Sequence, residues 1–218
     1  KSLDVKTDRQ IISFTKNPLE NSTLLGELFT SISQKQVIEL HFHKFDTPEI
    51  DRTVIVHPYI LKEYNRRWFL IAAAEDTGRI LNFALDRIDS VVPLPSHNYV
   101  EYDGNLNERF EDIVGVSLYD NRPVQTNLFW VSDSSKDYVA TKTIHESQKH
   151  YRGDKEAEMR RQYPTLEGGA FFTIDCIENY ELIRELTSFG ADLVVLSPEE
   201  VRRSVIQRIE EFYQAYHV

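Results

Sequence analysis

The sequence predicts an α+β fold in two parts: a small antiparallel β-barrel with a leading helix, followed by a ferredoxin-like α+β domain. Three observations predict it. Residues 54–92 break into three short apolar strands bounded by turn signals. Residues 37–45 alternate apolar and polar side chains, the period of a half-buried strand. Residues 124–196 run strand, helix, strand, strand, helix, strand, the order of a split β-α-β unit. The expected divisions are a linker over 1–20, a barrel domain over 21–95, a connecting segment over 96–122 and the second domain over 123–218.

The linker holds one short strand, Ile11 to Phe14, and the turn signal Asn17-Pro18. Ser22 or Thr23 can cap a helix running to about Gln34. Leu24, Leu25, Leu28, Phe29 and Ile32 recur at helical spacing and form a face to pack on the sheet. Over 37–45, Ile38, Leu40 and Phe42 share one strand face, and Glu39, His41 and His43 share the other. Thr47-Pro48-Glu49 is expected to turn the chain into a strand around Arg52 to His57. Pro58 cannot donate to a ladder and marks its end. Asn65 to Ala74 and Arg79 to Leu85 are the next strands. They are joined by Glu75-Asp76-Thr77-Gly78, with Gly where a hairpin often needs positive φ. Five short strands after one helix can close into a barrel, which removes exposed edges.

Pro93, Pro95, Ser96, His97 and Asn98 break the pattern. A short helix is expected over Asn107 to Ile113, ended at Gly115. Val124 to Val131 is a strand, and Asp133 or Ser134 caps a helix to about Lys142. Gln148 to Arg152 begins the next strand, with a polar excursion through Arg160. Gly169 to Cys176 is a third strand. Tyr180 to Phe189 is a helix stopped by Gly190. Ala191 to Leu196 is a strand. Ser197-Pro198-Glu199-Glu200 then starts a long helix to about Tyr216, with Ser as cap and Pro at the first helical position.

The chain of 218 residues can bury one large or two small cores. Its formal net charge of −10 lies mostly in the second part, where residues 95–218 carry 22 acidic against 13 basic side chains. Such a surface argues against broad, nonspecific duplex binding but leaves room for a small basic pocket. No apolar run approaches a membrane span, and no signal-peptide pattern is present. A single cysteine, Cys176, excludes an internal disulfide framework and fits a reducing cytoplasm. The first residue is Lys rather than Met, so the chain is expected to be a fragment with a segment removed ahead of it. There is no internal repeat.

Arg67-Trp68-Phe69-Leu70, preceded by His57-Pro58-Tyr59 and Leu61-Lys62 and followed by a hairpin ending in Leu85-Asp86-Arg87-Ile88, resembles the WYL domain. The triplet stands as Trp68-Phe69-Leu70. Phe69 and Phe42 replace tyrosines common in that family, so hydroxyl contacts at those points are lost and the bound compound can differ. The Ile144-His145-Glu146-Ser147-Gln148 run, Tyr180-Glu181-Leu182, Phe189-Gly190 and Val195-Leu196-Ser197-Pro198 resemble the C-terminal extension that follows many WYL domains. The resemblance thus covers nearly the whole chain from about residue 20. It implies an Sm-like barrel, and a ligand sensor for nucleotides or single-stranded nucleic acid. It implies a homodimeric bacterial transcription regulator whose N-terminal helix-turn-helix, missing here, holds duplex DNA.

Candidate ligand-binding residues gather in the barrel: Arg66, Arg67, Arg87, Lys44 and Lys62 beside Trp68, Tyr59, His41, His43 and His57, with Tyr64 nearby. Arginine forks a phosphate by two hydrogen bonds, and an aromatic face stacks a base. Each has an alternative. Trp68 can equally be core packing, and Arg87 can pair with Asp86 or Asp89. Arg66 and Arg67 are expected on opposite strand faces, so at most one lines a given pocket. His41 and His43, with His57, could seat zinc, but no Cys pair or His-Glu-x-x-His accompanies them, and no metal or cofactor is expected. His145-Glu146-Ser147 lacks a nucleophile elbow and is expected to order a turn, not to catalyse. Cys176 alternates into an apolar strand as a core residue. Gly168-Gly169 precedes no helix and is not a phosphate loop.

Three functions follow from this pattern. The favoured one is an effector-sensing, dimerising region of a regulator, without enzymatic activity. A second is an interaction module without a small ligand, built on Val201, Val205, Ile209 and Phe212 of the last helix. A third is a metal-assisted nucleic-acid hydrolase.

Overall fold

The alternation of residues 38–44 decides how the first sheet is built. In this computed structural model, which describes residues 22–44, 47–119 and 121–217, Ile38 and Leu40 are buried on one face of strand β1 (Ile38–Lys44), while Glu39 and His41 stay partly exposed on the other. The proposed linker, its strand Ile11 to Phe14, and Phe45 lie outside the described residues. Helix α1 (Ser22–Ser33) covers the apolar face, burying Leu24 and Leu28. Phe29, expected in that stripe, points to solvent instead.

Strand β2 (Thr47–Tyr64) is one continuous strand of 18 residues, so Thr47-Pro48-Glu49 is its start and not a turn. Pro58 lies inside it. The ladder to β1 already ends at Ile38↔Val56, and the ladder to β3 (Arg67–Ala74) shifts register between Pro58 and Ile60. A proline is tolerated where one neighbour is gone and the other ladder bulges. The β2–β3 hairpin closes through Asn65 and Arg66, both at positive φ (50° and 65°), so Arg66 sits in a turn and not on a strand face. Strand β4 (Ile80–Ala84) follows the turn at Gly78, whose φ is 66°. A 3-10 turn, Leu85–Arg87, leads into β5 (Ile88–Pro93).

These five strands form one antiparallel sheet in the order β4-β3-β2-β1-β5. The expected closed barrel is therefore not formed: β4 and β5 are the two edges and do not pair. The far face of the sheet is covered by the connecting segment. Tyr102, Leu106 and Phe110, around helix α2 (Leu106–Glu111), pack with Val116 on Phe69, Ile71 and Ala84.

The second sheet contains β6 (Gln125–Val131), β7 (Lys149–His150), β8 (Ala170–Cys176) and β9 (Leu193–Ser197), antiparallel in the order β7-β8-β6-β9. Helix α3 (Lys136–Thr141) follows β6. The polar excursion proves to be helix α4 (Asp154–Gln162), which packs Met159 on Phe171 and Trp130. On the opposite face, α5 (Tyr180–Ser188) and α6 (Glu199–Ala215) close a core around Phe129, Phe172, Ile174 and Cys176. Pro198 caps α6 from outside rather than opening it, and Ser197 ends β9. Val114 enters this core while Val116 enters the first, so the connecting segment is shared by both halves.

Candidate functional site

The ends of the first sheet face each other without pairing, and the cleft they leave collects cations. Phe42 opposes Ile88 across β1 and β5, so the antiparallel run carries Lys44 and Arg87 to the same end of that ladder. Both ladders of β1 change register here, between Phe42 and Lys44 against β2 and between His41 and Phe42 against β5. Such bulges bend a strand and re-aim its side chains. From the other edge, β4 contributes Leu81, Asn82 and Phe83. The cleft measures about 390 Å³, with Phe42, Phe83 and Ile88 as apolar wall and Lys44 and Arg87 as cations. The rings of Phe42 and Phe83 meet edge to face, 5.2 Å between centroids. This arrangement can take an anionic group on the two cations and a flat apolar group against the rings.

The remaining predicted residues lie elsewhere. Trp68 packs into the same apolar cluster as Phe42 and Phe83 but does not line the cleft. Arg67 Nη2 donates to both carboxylate oxygens of Asp86, at 2.6 and 2.8 Å. Its side chain also lies 5.8 Å from the Phe69 ring. Lys62 sits 4.5 Å above the ring of Phe110. His41 bonds Glu39 at 3.0 Å, and His43 bonds Asp89 at 3.1 Å. Among the described residues no group of three His, Cys, Asp or Glu could hold a metal ion.

His57 and Tyr59 line a second cleft of about 430 Å³, with Arg79, Tyr102 and Arg109 and the acids Glu101 and Asp103. Their polar atoms are engaged in holding the connecting segment. The Val100 N–H donates to His57 Nδ1 (3.2 Å), and the Tyr59 hydroxyl donates to the Val100 carbonyl (2.9 Å). Tyr99 donates to the Pro58 carbonyl (2.8 Å), and burial pushes its hydroxyl pKa up to about 12. Burial, with Tyr102 beside it, raises that of Tyr59 as well.

His145 and Ser147 do what a turn requires. His145 Nδ1 and Ser147 Oγ are 2.7 Å apart. The serine oxygen also accepts the Asp175 N–H (2.7 Å) and stands 3.1 Å from the Asp175 carbonyl, binding the loop to β8. The Gln148 side chain donates to the Val139 carbonyl of α3 and accepts the Ile144 N–H. Cys176 is buried, and burial raises its thiol to about 12, which keeps it protonated and inert.

Sequence reasoning missed the ring pair and Asn82. Asn82 lines the cleft, and its amide donates to the Val116 carbonyl at 3.0 Å. The signal available was one polar side chain inside an apolar strand, Ile80 to Ala84.

The sequence matches the WYL domain over residues 23–93 and the WCX domain over residues 130–213. The chain carries a WYL domain followed by a WCX domain. Its WYL domain is the first sheet with α1, and its WCX domain holds most of the second sheet with α3 to α6. No curated protein matches the chain. Among solved structures it is similar to proteasome accessory factor B/C (PafBC) of Arthrobacter aurescens. That match has 17% identity and a TM-score of 0.37, and covers 87% of this chain and 27% of that one. It is also similar to a CRISPR Cas-related protein, at 10% identity and a TM-score of 0.47, covering 88% of this chain and 51% of that one. The chain therefore spans about a quarter and about half of the lengths of these two proteins. No helix among the described residues is long and apolar enough to cross a membrane.

Proposed function

We propose that this chain is the effector-sensing and dimerising region of a cytoplasmic bacterial transcription regulator. In this reading duplex DNA is held by a separate helix-turn-helix domain of the same protein. The effector is a nucleotide or a short single-stranded nucleic acid, bound in the WYL cleft with phosphate on Lys44 and Arg87 and a base against the phenylalanine rings. The first sheet, with its two edges unpaired, is read as an open variant of the Sm-like barrel, and the second, by its strand order, as a ferredoxin-like unit. One observation carries the proposal: two cations from distant parts of the chain line one cleft with a ring pair where the sheet fails to close. Control of the DNA-binding domain is then linkage. An effector that binds one arrangement of the dimer better shifts the population by its differential affinity. The proposal includes no catalytic step.

Titration with labelled single-stranded oligonucleotides and with linear and cyclic nucleotides tests it. Binding is expected to weaken about tenfold in Arg87→Ala, the loss of one charge-assisted contact. Arg66→Ala, in the β2–β3 turn, should bind as the parent does. Equal affinity in the parent, Arg87→Ala and Lys44→Ala contradicts the site. Failure of every such ligand to bind contradicts the ligand class.

A further inference from the structure

The two edges of the first sheet are defended unequally. Strand β5 carries Asp89 and Pro93, and its ladder to β1 is interrupted by a register shift. Charge, proline and bulges keep a sheet edge from recruiting another strand. Strand β4 has none of the three: Ile80 to Ala84 is uncharged, and its register with β3 is unbroken. The Ala74 N–H donates to the Arg79 carbonyl (3.0 Å), so by the alternation of an antiparallel ladder Leu81 and Phe83 turn their backbone groups to β3. Those of Ile80 and Asn82 point outward, and among the described residues no strand pairs with them.

A slot of about 510 Å³ runs along this edge, lined by residues 79–82 and by residues 116–119 of the connecting segment. Ile80, Leu81 and Leu118 are half-buried in its lining, and Tyr119 is exposed. The backbone groups of Leu118 and Tyr119 make no hydrogen bond among the described residues. Unpaired peptide groups on the strand edge and on the segment beside it suit a ligand with peptide groups of its own, an extended chain.

Charge says which chain. Arg79 is the one charged side chain among the described residues of the lining. It also borders the cleft of Glu101 and Asp103, without an ion pair to either. Leu81 and Asn82 line the neighbouring cleft too, so the slot opens toward Lys44 and Arg87. On a chain of net charge −10, three cations with no described acid in either lining make a local positive field.

We propose that β4 accepts an extended, acidic segment of a partner protein as an added strand, with its backbone on Ile80 and Asn82 and a carboxylate on Arg79. The site lies beside the effector cleft and depends on no nucleotide.

Selection of phage-displayed random dodecapeptides on the immobilised chain is the first test. Acidic residues beside alternating apolar ones are the expected pattern, and a selection that enriches nothing, or basic sequences, overturns the proposal. A selected peptide, synthesised and labelled, is then titrated by fluorescence anisotropy. Arg79→Glu, at an exposed position, should weaken it at least about tenfold with the circular dichroism of the parent. Equal affinity in that variant overturns the proposal. An added strand bonds to the edge through every second residue, so N-methylation of one alternate set of peptide amides should abolish binding. Affinity that survives methylation of either set overturns it. The effector site is scored separately: Arg87→Ala should keep peptide affinity within about twofold, and an unlabelled oligonucleotide should leave the peptide bound. Displacement by the oligonucleotide, joined to weaker oligonucleotide binding in Arg79→Glu, assigns the slot to nucleic acid. A peptide that binds only after residues 1–20 are deleted assigns it to the chain's own N-terminal segment, and a dimer that the peptide dissolves assigns it to a second copy. Each of these three results overturns the proposal.

Discussion

The two sheets of this chain are the same kind of object put to opposite uses. The second is filled on both faces: α5 and α6 close one side and α4 the other, and the rings of Phe129, Phe171 and Phe172 are wholly buried. Its polar groups are spent on holding loops, as in the bonds of Ser147 to Asp175 and of Trp130 to Gly168. The first is also packed on both faces, by α1 and by the connecting segment, but its ends are left apart. There Lys44 and Arg87 line one cleft with the rings of Phe42 and Phe83. The lesson is that a sheet keeps a cleft at the edges it leaves unpaired, while its faces supply the rigidity that holds the cleft open.

Substitutions that test the filled sheet should be the most damaging. Phe172→Ala removes a ring in contact with Phe129 (5.9 Å) and His150 (4.6 Å) at zero exposure. Urea unfolding should show a loss of about 3–5 kcal/mol, with the cleft of the first sheet unaltered in any fragment population that stays folded.

The next effect sharpens the boundary between the halves. Asn179 caps α5 by accepting the Leu182 N–H (2.8 Å) and donates to the carbonyls of Val114 (2.8 Å) and Ser117 (3.2 Å). Glu181 adds a bond from the Ser117 hydroxyl (2.8 Å). Asn179→Ala therefore removes a cap and strands two carbonyls, a loss of about 1–3 kcal/mol. Hydrogen exchange should quicken in residues 113–118 before it does in β6 or β8.

In the open sheet the order of effects reverses. Lys44→Ala, at an exposed position, should change unfolding stability by less than about 0.5 kcal/mol, as surface substitutions do. Lys44→Ala and Arg87→Ala should each weaken an anionic ligand about tenfold. A large stability change with unchanged binding would erase the contrast between the sheets.

The smallest effect is set by pH. The Cys176 thiol is raised from 9.0 to about 12 by burial, so folding holds it protonated. Its contribution is complete below pH 9.0 and declines as pH rises from there toward the folded-state value. Stability should therefore fall on the alkaline side, and the slope should be shallower in Cys176→Ala. Equal slopes would place the thiol in contact with solvent.

Much of this was legible in the residues. The period of two in β1, the apolar run of β3 and the Gly78 turn identify the first sheet, and Phe189-Gly190 identifies the end of α5. Helix α4 was not legible, because its sequence DKEAEMRRQ buries only Met159 and shows no apolar stripe. The Asn65-Arg66 turn was hidden because neither residue is glycine, although both take positive φ. Strand counting also favoured closure, which depends on whether two edges meet and leaves no local signal. Arg87 and Lys44 were both named as candidates, but their meeting rests on the β1–β5 register and its bulges, a long-range property. Trp68 joined the apolar cluster because its place in β3 shares a face with Leu70 and Ala72.

The most direct test is the salt dependence of single-stranded oligonucleotide binding in the parent and in Lys44→Ala/Arg87→Ala. Two phosphate contacts in the cleft predict that the slope of log affinity against log salt is shallower in the double variant by about 1.4, at about 0.7 per contact. Superimposable slopes with equal affinities would show that the unpaired edge of the first sheet is not where the anion binds.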